Sequence, residues 1–486
     1  MVSGSRTLEP APERDRPGRG GRAARNAAVL SGATLAARLL GFALGVVLGR
    51  TLGVEDYGVY GFAVALSLVV TPLADVGITQ YMIRETARDA ARAEAEMRDL
   101  LRVKLALAVA VLAIVAAVAL LRSRDSTVAV VVIVIAAAGL GDSFSQFVFG
   151  YFQGRERMGF EARLTTFAAL LRAAGGIVLA LVTRDLVLVV CWVLAVSVFQ
   201  VGVAFARVRA PLRETRGRWA AAAWGTVLVM GAIVALTNVY TRADAVMIGL
   251  LLDDRQVGLY TAAYTLMLGL GIVPWMVGTA LAPVFASTFT GDREVFAQAW
   301  REGVRATLVI AIPLALVTSI LARPILERLY GPEFGDATTA LAVLAWTCPL
   351  AALATLSSVA LRGAGRERWI LLVALAGAVM NVGLNLVLIP AIGIKGAAIM
   401  TVATEVMVVL AMAGLATARR LLPRPRLPLL RMLAAAAALA AVAVGLRDAP
   451  VEVSVIASMA AYVLVALATR LVGPEDIARI RQARAA

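Results

Sequence analysis

Three arginines lie inside stretches apolar enough to be surrounded by lipid: Arg38 within residues 27–49, Arg172 within 161–182 and Arg242 within 227–249. Near the centre of a bilayer an arginine costs about 2.5 to 3.5 kcal/mol on insertion scales, so each must turn toward a partner or a watery cavity. Asn238 stands one helical turn before Arg242, and Asp244 follows it; Asn381 and Asn385 form a second one-turn pair within 369–389. Guanidinium and amide groups in such a cavity suit recognition of an anionic head group through charge-assisted hydrogen bonds. Asp142, within 128–150, and Glu405, within 397–417, are deep carboxylates and candidates for coupling to H+ or Na+. Asp75, near the inner end of 57–77, and Arg84 and Arg88 just beyond it, would mark a cytoplasmic entrance.

Each placement has a plainer alternative. Arg242 and Asp244 also fit the outer interface, with the arginine snorkelling to head groups. The asparagine pair also fits ordinary hydrogen bonding between helices, and Asp75 a helix terminus. Bond-making chemistry has little support. The chain contains no histidine, which excludes histidine proton relays, histidine metal sites and histidine-containing triads. Cys191 and Cys348 both fall in apolar segments and are expected to be buried thiols, not a disulfide. A Gly-x-x-x-x-Gly-Lys-Ser/Thr motif is absent, and the longest outer segment, 323–336, is too short for an enzyme domain. The expectation is a non-enzyme with no cofactor and no metal site.

The elements that position these groups are membrane spans. A spanning helix needs roughly 20 mostly apolar residues, and a chain that is 60% hydrophobic and 16% charged, with mean hydropathy +0.84, has room for little else. About fourteen such segments are present: besides those above, 101–121, 186–206, 258–284, 304–322, 337–360, 431–447 and 452–471. Most of the 47 lysines and arginines fall in alternate loops: Arg6 to Arg25, Arg84 to Lys104, Arg207 to Arg218 and Arg419 to Arg431. That persistence predicts an even number of spans with both termini cytoplasmic. The net charge of +15 is therefore a topology signal; no soluble domain remains to offer a basic face to nucleic acid. The polar, Arg-, Pro- and Gly-rich segment 1–26 reads as a disordered tail. The apolar stretch behind it, about 23 residues, is too long for a cleavable signal peptide. From Thr79 to Leu100, Arg84, Arg88 and Arg92 recur every fourth residue, the pattern of a helix lying along the cytoplasmic surface against anionic lipid heads.

An internal repeat organises the spans. Gly49, Gly58 and Tyr60 recur as Gly249, Gly258 and Tyr260, and Gly154-Arg-Glu-Arg157 as Gly365-Arg-Glu-Arg368. Both pairs are six spans apart, so the halves run in the same direction and relate by an axis along the membrane normal. The fold expected is an all-α polytopic membrane protein with two parallel six-helix lobes, 27–218 and 219–418, a C-terminal helix pair in 419–472 and a cytoplasmic tail, 473–486. Aligning the seventh span on the first carries it to Gly249 and places Asn238, Arg242 and Asp244 in the membrane. A cationic cavity between the lobes follows.

Arg38-Leu-Leu-Gly41, Leu48-Gly-Arg-Thr-Leu-Gly-Val-Glu-Asp-Tyr-Gly-Val-Tyr60 and Asp75-Val-Gly77 resemble the N-terminal signature of the bacterial polysaccharide-repeat-unit flippases. Leu329-Tyr-Gly-Pro-Glu-Phe334, Arg362-Gly-Ala-Gly-Arg366, Asn381-Val-Gly-Leu-Asn-Leu-Val-Leu-Ile-Pro390 and Gly393-Ile-Lys-Gly-Ala-Ala398 are similar to that family's second half. The resemblance implies the multidrug/oligosaccharidyl-lipid/polysaccharide exporter superfamily, in a bacterial inner membrane. The implied substrate is an undecaprenyl-diphosphate-linked oligosaccharide, moved to the outer leaflet by alternating access, with a glycan polymerase and assembly machinery as partners. It also implies substrate roles for Arg38 and Arg242. Lipid II flippases are the nearest relatives to confuse with it; a drug/cation antiporter, which the intramembrane arginines disfavour, and a membrane-embedded glycan polymerase are more distant readings.

Overall fold

A computed structural model describes residues 19–122, 125–208, 224–288, 293–418, 422–423 and 427–471. The expected N-terminal tail before residue 19, most of the basic loop 207–218 and the expected tail 473–486 lie outside those residues. Among the described residues the chain is helical without strands. The first half supplies α1 (Arg19–Leu52), α2 (Val54–Asp75), α3 (Ile78–Arg88), α4 (Ala90–Arg122), α5 (Ser126–Gly154), α6 (Gly159–Thr183) and α7 (Leu186–Ala206). The second supplies α8 (Trp224–Leu251), α9 (Asp254–Thr288), α10 (Arg293–Ile320), α11 (Ala322–Leu329), α12 (Thr338–Leu344), α13 (Thr347–Gly363), α14 (Glu367–Ile392) and α15 (Ile394–Ala418), with α16 (Leu429–Gly445) and α17 (Val451–Ala468) closing the chain.

Among the described residues, twelve candidate spans are long and apolar enough to cross a membrane. The shorter apolar Leu429–Gly445 and the 28-residue α8 occupy the remaining two expected segments, so every expected span corresponds to helix and the chain is a multi-pass membrane protein. Large apolar side chains such as Leu121, Val182 and Leu430 are exposed on the outside, the surface lipid would cover. Two expectations need correction. The tenth span is broken: a short 3-10 turn (Pro332–Ala337) and α12 precede α13, because Pro349 has no N–H to give the Ala345 carbonyl. The surface helix expected over 79–100 is two helices: Asp89 is extended at φ −149 and its Oδ1 accepts from the N–H groups of Ala91 and Arg92, both at 3.1 Å. Asp89 thus caps the start of α4.

Behind that corner, Glu85 and Glu96 hold Arg92 at 3.3 and 3.1 Å, and the Tyr81 hydroxyl donates to Glu96 at 2.6 Å. Burial, then the bond to Glu96, push the Tyr81 hydroxyl above its ordinary range. Arg84 and Arg88 remain exposed. Cys348 is buried but Cys191 is exposed on α7, contrary to the expectation for both: an apolar span shows a thiol to lipid as readily as to protein.

The repeat has a structural counterpart. α2 and α9 begin at corresponding points, Val54 and Asp254, and cross where Gly58 and Gly258 meet. A methyl group on Gly58 would stand 1.8 Å from the Asp254 carbonyl oxygen, and one on Gly258 would stand 1.9 Å from that of Val54. Each glycine of the repeat therefore rests on the equivalent carbonyl of the other half, a twofold-symmetric contact that only hydrogen side chains permit.

Candidate functional site: a cationic cavity between the halves

Below that crossing, α1, α2, α8 and α9 part around a cavity of about 430 Å³. Arg38 from α1 and Arg242 from α8 line it, with Tyr57 and Tyr60 from α2 and Tyr260 and Tyr264 from α9. Its described lining includes no aspartate or glutamate. The Arg242 guanidinium lies 4.6 Å from the centre of the Tyr264 ring, a cation–π contact that holds the charge at the wall without neutralising it. The Tyr264 hydroxyl donates to the Thr241 carbonyl at 2.5 Å, which fixes the ring beneath it. Tyr57, wholly buried, shares a hydrogen bond with Thr265 at 3.2 Å, joining the halves along the cavity wall. Such a chamber combines positive charge with aromatic side chains, a lining suited to an anionic group.

The remaining residues singled out from sequence are distributed over separate places. Arg172 pairs with Asp142 at 2.9 Å, and Ser197 donates to the same carboxylate at 3.0 Å. The pair lines a smaller cavity, about 190 Å³, within the first half. Gly41 borders both cavities, so α1 is the partition between them. Asp244 is wholly buried: its carboxylate accepts from the Tyr260 hydroxyl, from Thr401 Oγ1 at 2.9 Å and from the Ala245 N–H at 2.8 Å. Lying half a turn from Arg242, it ties α8, α9 and α15 together. The Asn238 amide donates to the Val234 carbonyl of its own helix at 2.9 Å.

Asn381 and Asn385 are wholly buried. Asn385 donates to Asn381 at 3.1 Å and Asn381 to Thr404 Oγ1 at 3.5 Å, a bridge between α14 and α15. Asn385 Oδ1 and, on α15, Glu405 Oε2 are buried without a hydrogen-bond partner. Asp75 is engaged by Lys104, whose amine is buried and also donates to Ser143 Oγ at 2.8 Å. Lys104, read from sequence as part of a basic cytoplasmic loop, is thus an interior charge.

Sequence reasoning passed over the four tyrosines, though Tyr60 and Tyr260 were marks of the repeat, and it passed over Arg122. At the C-terminal end of α4, Arg122 pairs with Asp254, donates to the Gly249 carbonyl at 2.7 Å and lies 4.1 Å over the Phe62 ring, clasping the second half. Its position at the end of an apolar run was the available signal.

A membrane bundle in two repeated halves, meeting around a charged cavity and making no enzyme-like constellation among its described residues, has the form of a transporter. Residues 23–289 match the model of the family described as polysaccharide biosynthesis protein, and residues 230–387 match that of MatE. The chain belongs to the polysaccharide biosynthesis protein family, within the superfamily of multidrug/oligosaccharidyl-lipid/polysaccharide exporters. No curated protein matches it. Among solved structures, the lipid II flippase MurJ in an inward closed conformation superposes with TM-score 0.72 at 12% identity, covering 90% of this chain and 97% of that one. An inward-facing multidrug resistance MATE family transporter follows with TM-score 0.61 at 17% identity, covering 79% and 95%. A transporter of the same superfamily from Pyrococcus furiosus gives 0.55 at 16%, covering 82% and 96%. Those likenesses establish the fold.

Proposed function

We propose that the protein is a flippase that carries an undecaprenyl-diphosphate-linked oligosaccharide repeat unit from the cytoplasmic to the outer leaflet of a bacterial inner membrane by alternating access. The single observation that carries this reading is the cavity between the halves, whose described lining brings Arg38 and Arg242 together with four tyrosines. A diphosphate is the head group such a pair suits, since each guanidinium offers a planar fork to phosphate oxygens. The tyrosine faces suit the first sugar ring, and the apolar exterior leaves the prenyl chain in lipid. The same charge disfavours a carrier of hydrophobic cations.

A lipid II flippase is the second reading, and the extent of the MurJ superposition favours it; its substrate shares the prenyl diphosphate, so the cavity chemistry serves both. Of the carboxylates proposed for coupling, Glu405 is the stronger candidate, because its buried Oε2 has no partner whereas Asp142 is paired with Arg172. A glycan polymerase is the proposed partner downstream, and the proposed topology, supported by the arginine-rich alternate loops, has both termini in the cytoplasm.

A flippase makes and breaks no bonds. Deleting it should leave the complete lipid-linked oligosaccharide in the cell but out of reach of a lectin or glycosidase applied outside, with lysis restoring access. Unchanged outside access in the deletion strain, where no second flippase is present, refutes the assignment. Loss of outside-accessible lipid II with the repeat unit unaffected selects the second reading.

A further inference from the structure

α2 and α8 come from different halves and lie side by side, antiparallel, from one end to the other. At the outer end Gly249 meets the Phe62 ring, where an added methyl group would stand 2.3 Å from a ring carbon. At the opposite end Gly231 meets the corner between α2 and α3. A methyl group there would stand 2.2 Å from the Val76 carbonyl carbon, 2.3 Å from its oxygen and 2.7 Å from the Gly77 nitrogen. Ala65 and Arg242, both on the cavity wall, are eleven residues from Val76 and Gly231 respectively, so this contact lies roughly 16 Å inward of the chamber along both helices.

The corner itself is strained. Val76 has φ +47 and Gly77 φ +88. Glycine adopts that region freely, but a β-branched side chain there clashes with its own backbone. The strain is held by what surrounds it. The Val76 N–H bonds the Pro72 carbonyl at 2.9 Å. Asp75 accepts from Thr79, at 3.3 Å from its N–H and 2.6 Å from its hydroxyl, and so caps the start of α3. Lys104 of α4 then fixes Asp75 to Ser143 of α5. Every one of these anchors belongs to the first half. Across the seam, Gly231 brings backbone against backbone, without a side chain to interlock.

We propose that the Val76–Gly77 corner is a strained latch, closing the cytoplasmic end of the seam by resting on Gly231, and that it is released when the halves part. This rests on the reading of the protein as a carrier with moving halves and on the orientation set by the arginine-rich loops. When the halves part, Gly231 withdraws and the strained turn loses the surface it rests on. The anchoring by Asp75, Lys104 and Ser143 makes the corner travel with the first half. Gly231, on α8, travels with the second. The fit tolerates nothing larger than hydrogen at residue 231, so bulk there acts as a wedge, while glycine at residue 76 removes the strain and favours the closed state.

The test uses the full chain with Cys191 and Cys348 replaced by serine and a reporter thiol from Ala65→Cys, a residue on the cavity wall and 3% exposed. An impermeant maleimide is applied to inside-out vesicles and, separately, to intact cells. Gly231→Val should speed labelling from the cytoplasmic side by about tenfold, as overpacking separates the seam. Val76→Gly should slow it by about fivefold and needs no rearrangement to fold, so the proposal stands or falls even where the valine variant is poorly made. Unchanged or faster labelling of Val76→Gly from both sides overturns the latch. Opposite shifts of the expected sign, seen from the outer side, keep the latch and overturn the orientation. The readout does not depend on which substrate is carried, so it is independent of the flippase assignment.

Discussion

Replacing Arg242 by alanine gives the sharpest test of the cavity. In the resting structure its guanidinium has the Tyr264 ring as a neighbour and lines a cavity whose described walls bear no carboxylate. Its loss leaves the buried Asp244 carboxylate its three hydrogen bonds, from Tyr260, Thr401 and the Ala245 N–H, and it removes a charge that costs about 2.5 to 3.5 kcal/mol to insert. Membrane abundance and thermal stability should stay near those of the parent. The head group, in contrast, would lose one charge-assisted interaction, about 1.5 to 3 kcal/mol, which is roughly a tenfold to hundredfold loss of apparent affinity. Arg242→Lys should recover only part of this, because an ammonium restores the charge without the planar fork. The assay is outside accessibility of the lipid-linked oligosaccharide in cells, with transport in proteoliposomes at several substrate levels. Wild-type transport by both Arg242→Ala and Arg38→Ala would refute the reasoning, as would a loss explained wholly by lower abundance.

Lys104 is an interior charge, so Lys104→Met, which leaves the Asp75 carboxylate without its amine, should destabilise the protein by about 3 to 5 kcal/mol. Adding Asp75→Asn should recover much of that loss, and equal melting temperatures for the single and double variants would show that the pair is not coupled. Gly58→Ala should uncouple the outer crossing of α2 and α9, because the new methyl would meet the Asp254 carbonyl at 1.8 Å; transport equal to the parent, with a reporter thiol at residue 65 no more open to outside reagent, would contradict a closed outer face.

Hydropathy was sufficient for the approximate number and the order of the spans. In a bilayer every backbone polar group must be satisfied within its own helix, so length and apolarity alone mark a span, and loop arginines orient it. The repeat was also legible, since glycines that must admit a backbone, Gly58 and Gly258, cannot vary in size. What remained closed to sequence was the face each residue presents. Lipid and protein interior are equally apolar, so hydropathy could not separate exposed Cys191 from buried Cys348, nor show that Asp244 turns into the core while Arg242 lines the cavity.

Arg172 illustrates the same limit. Polarity within a span required a partner but could not name it, and the packing of α5 against α6 supplied Asp142, putting the arginine on the far side of α1 from Arg38. Pairing across helices, the rotation of each helix about its axis and the strained corner at Val76 depend on contacts between residues distant in the chain. Apolar composition determined that the chain spans the membrane; the tertiary structure decided which few polar groups share one cavity.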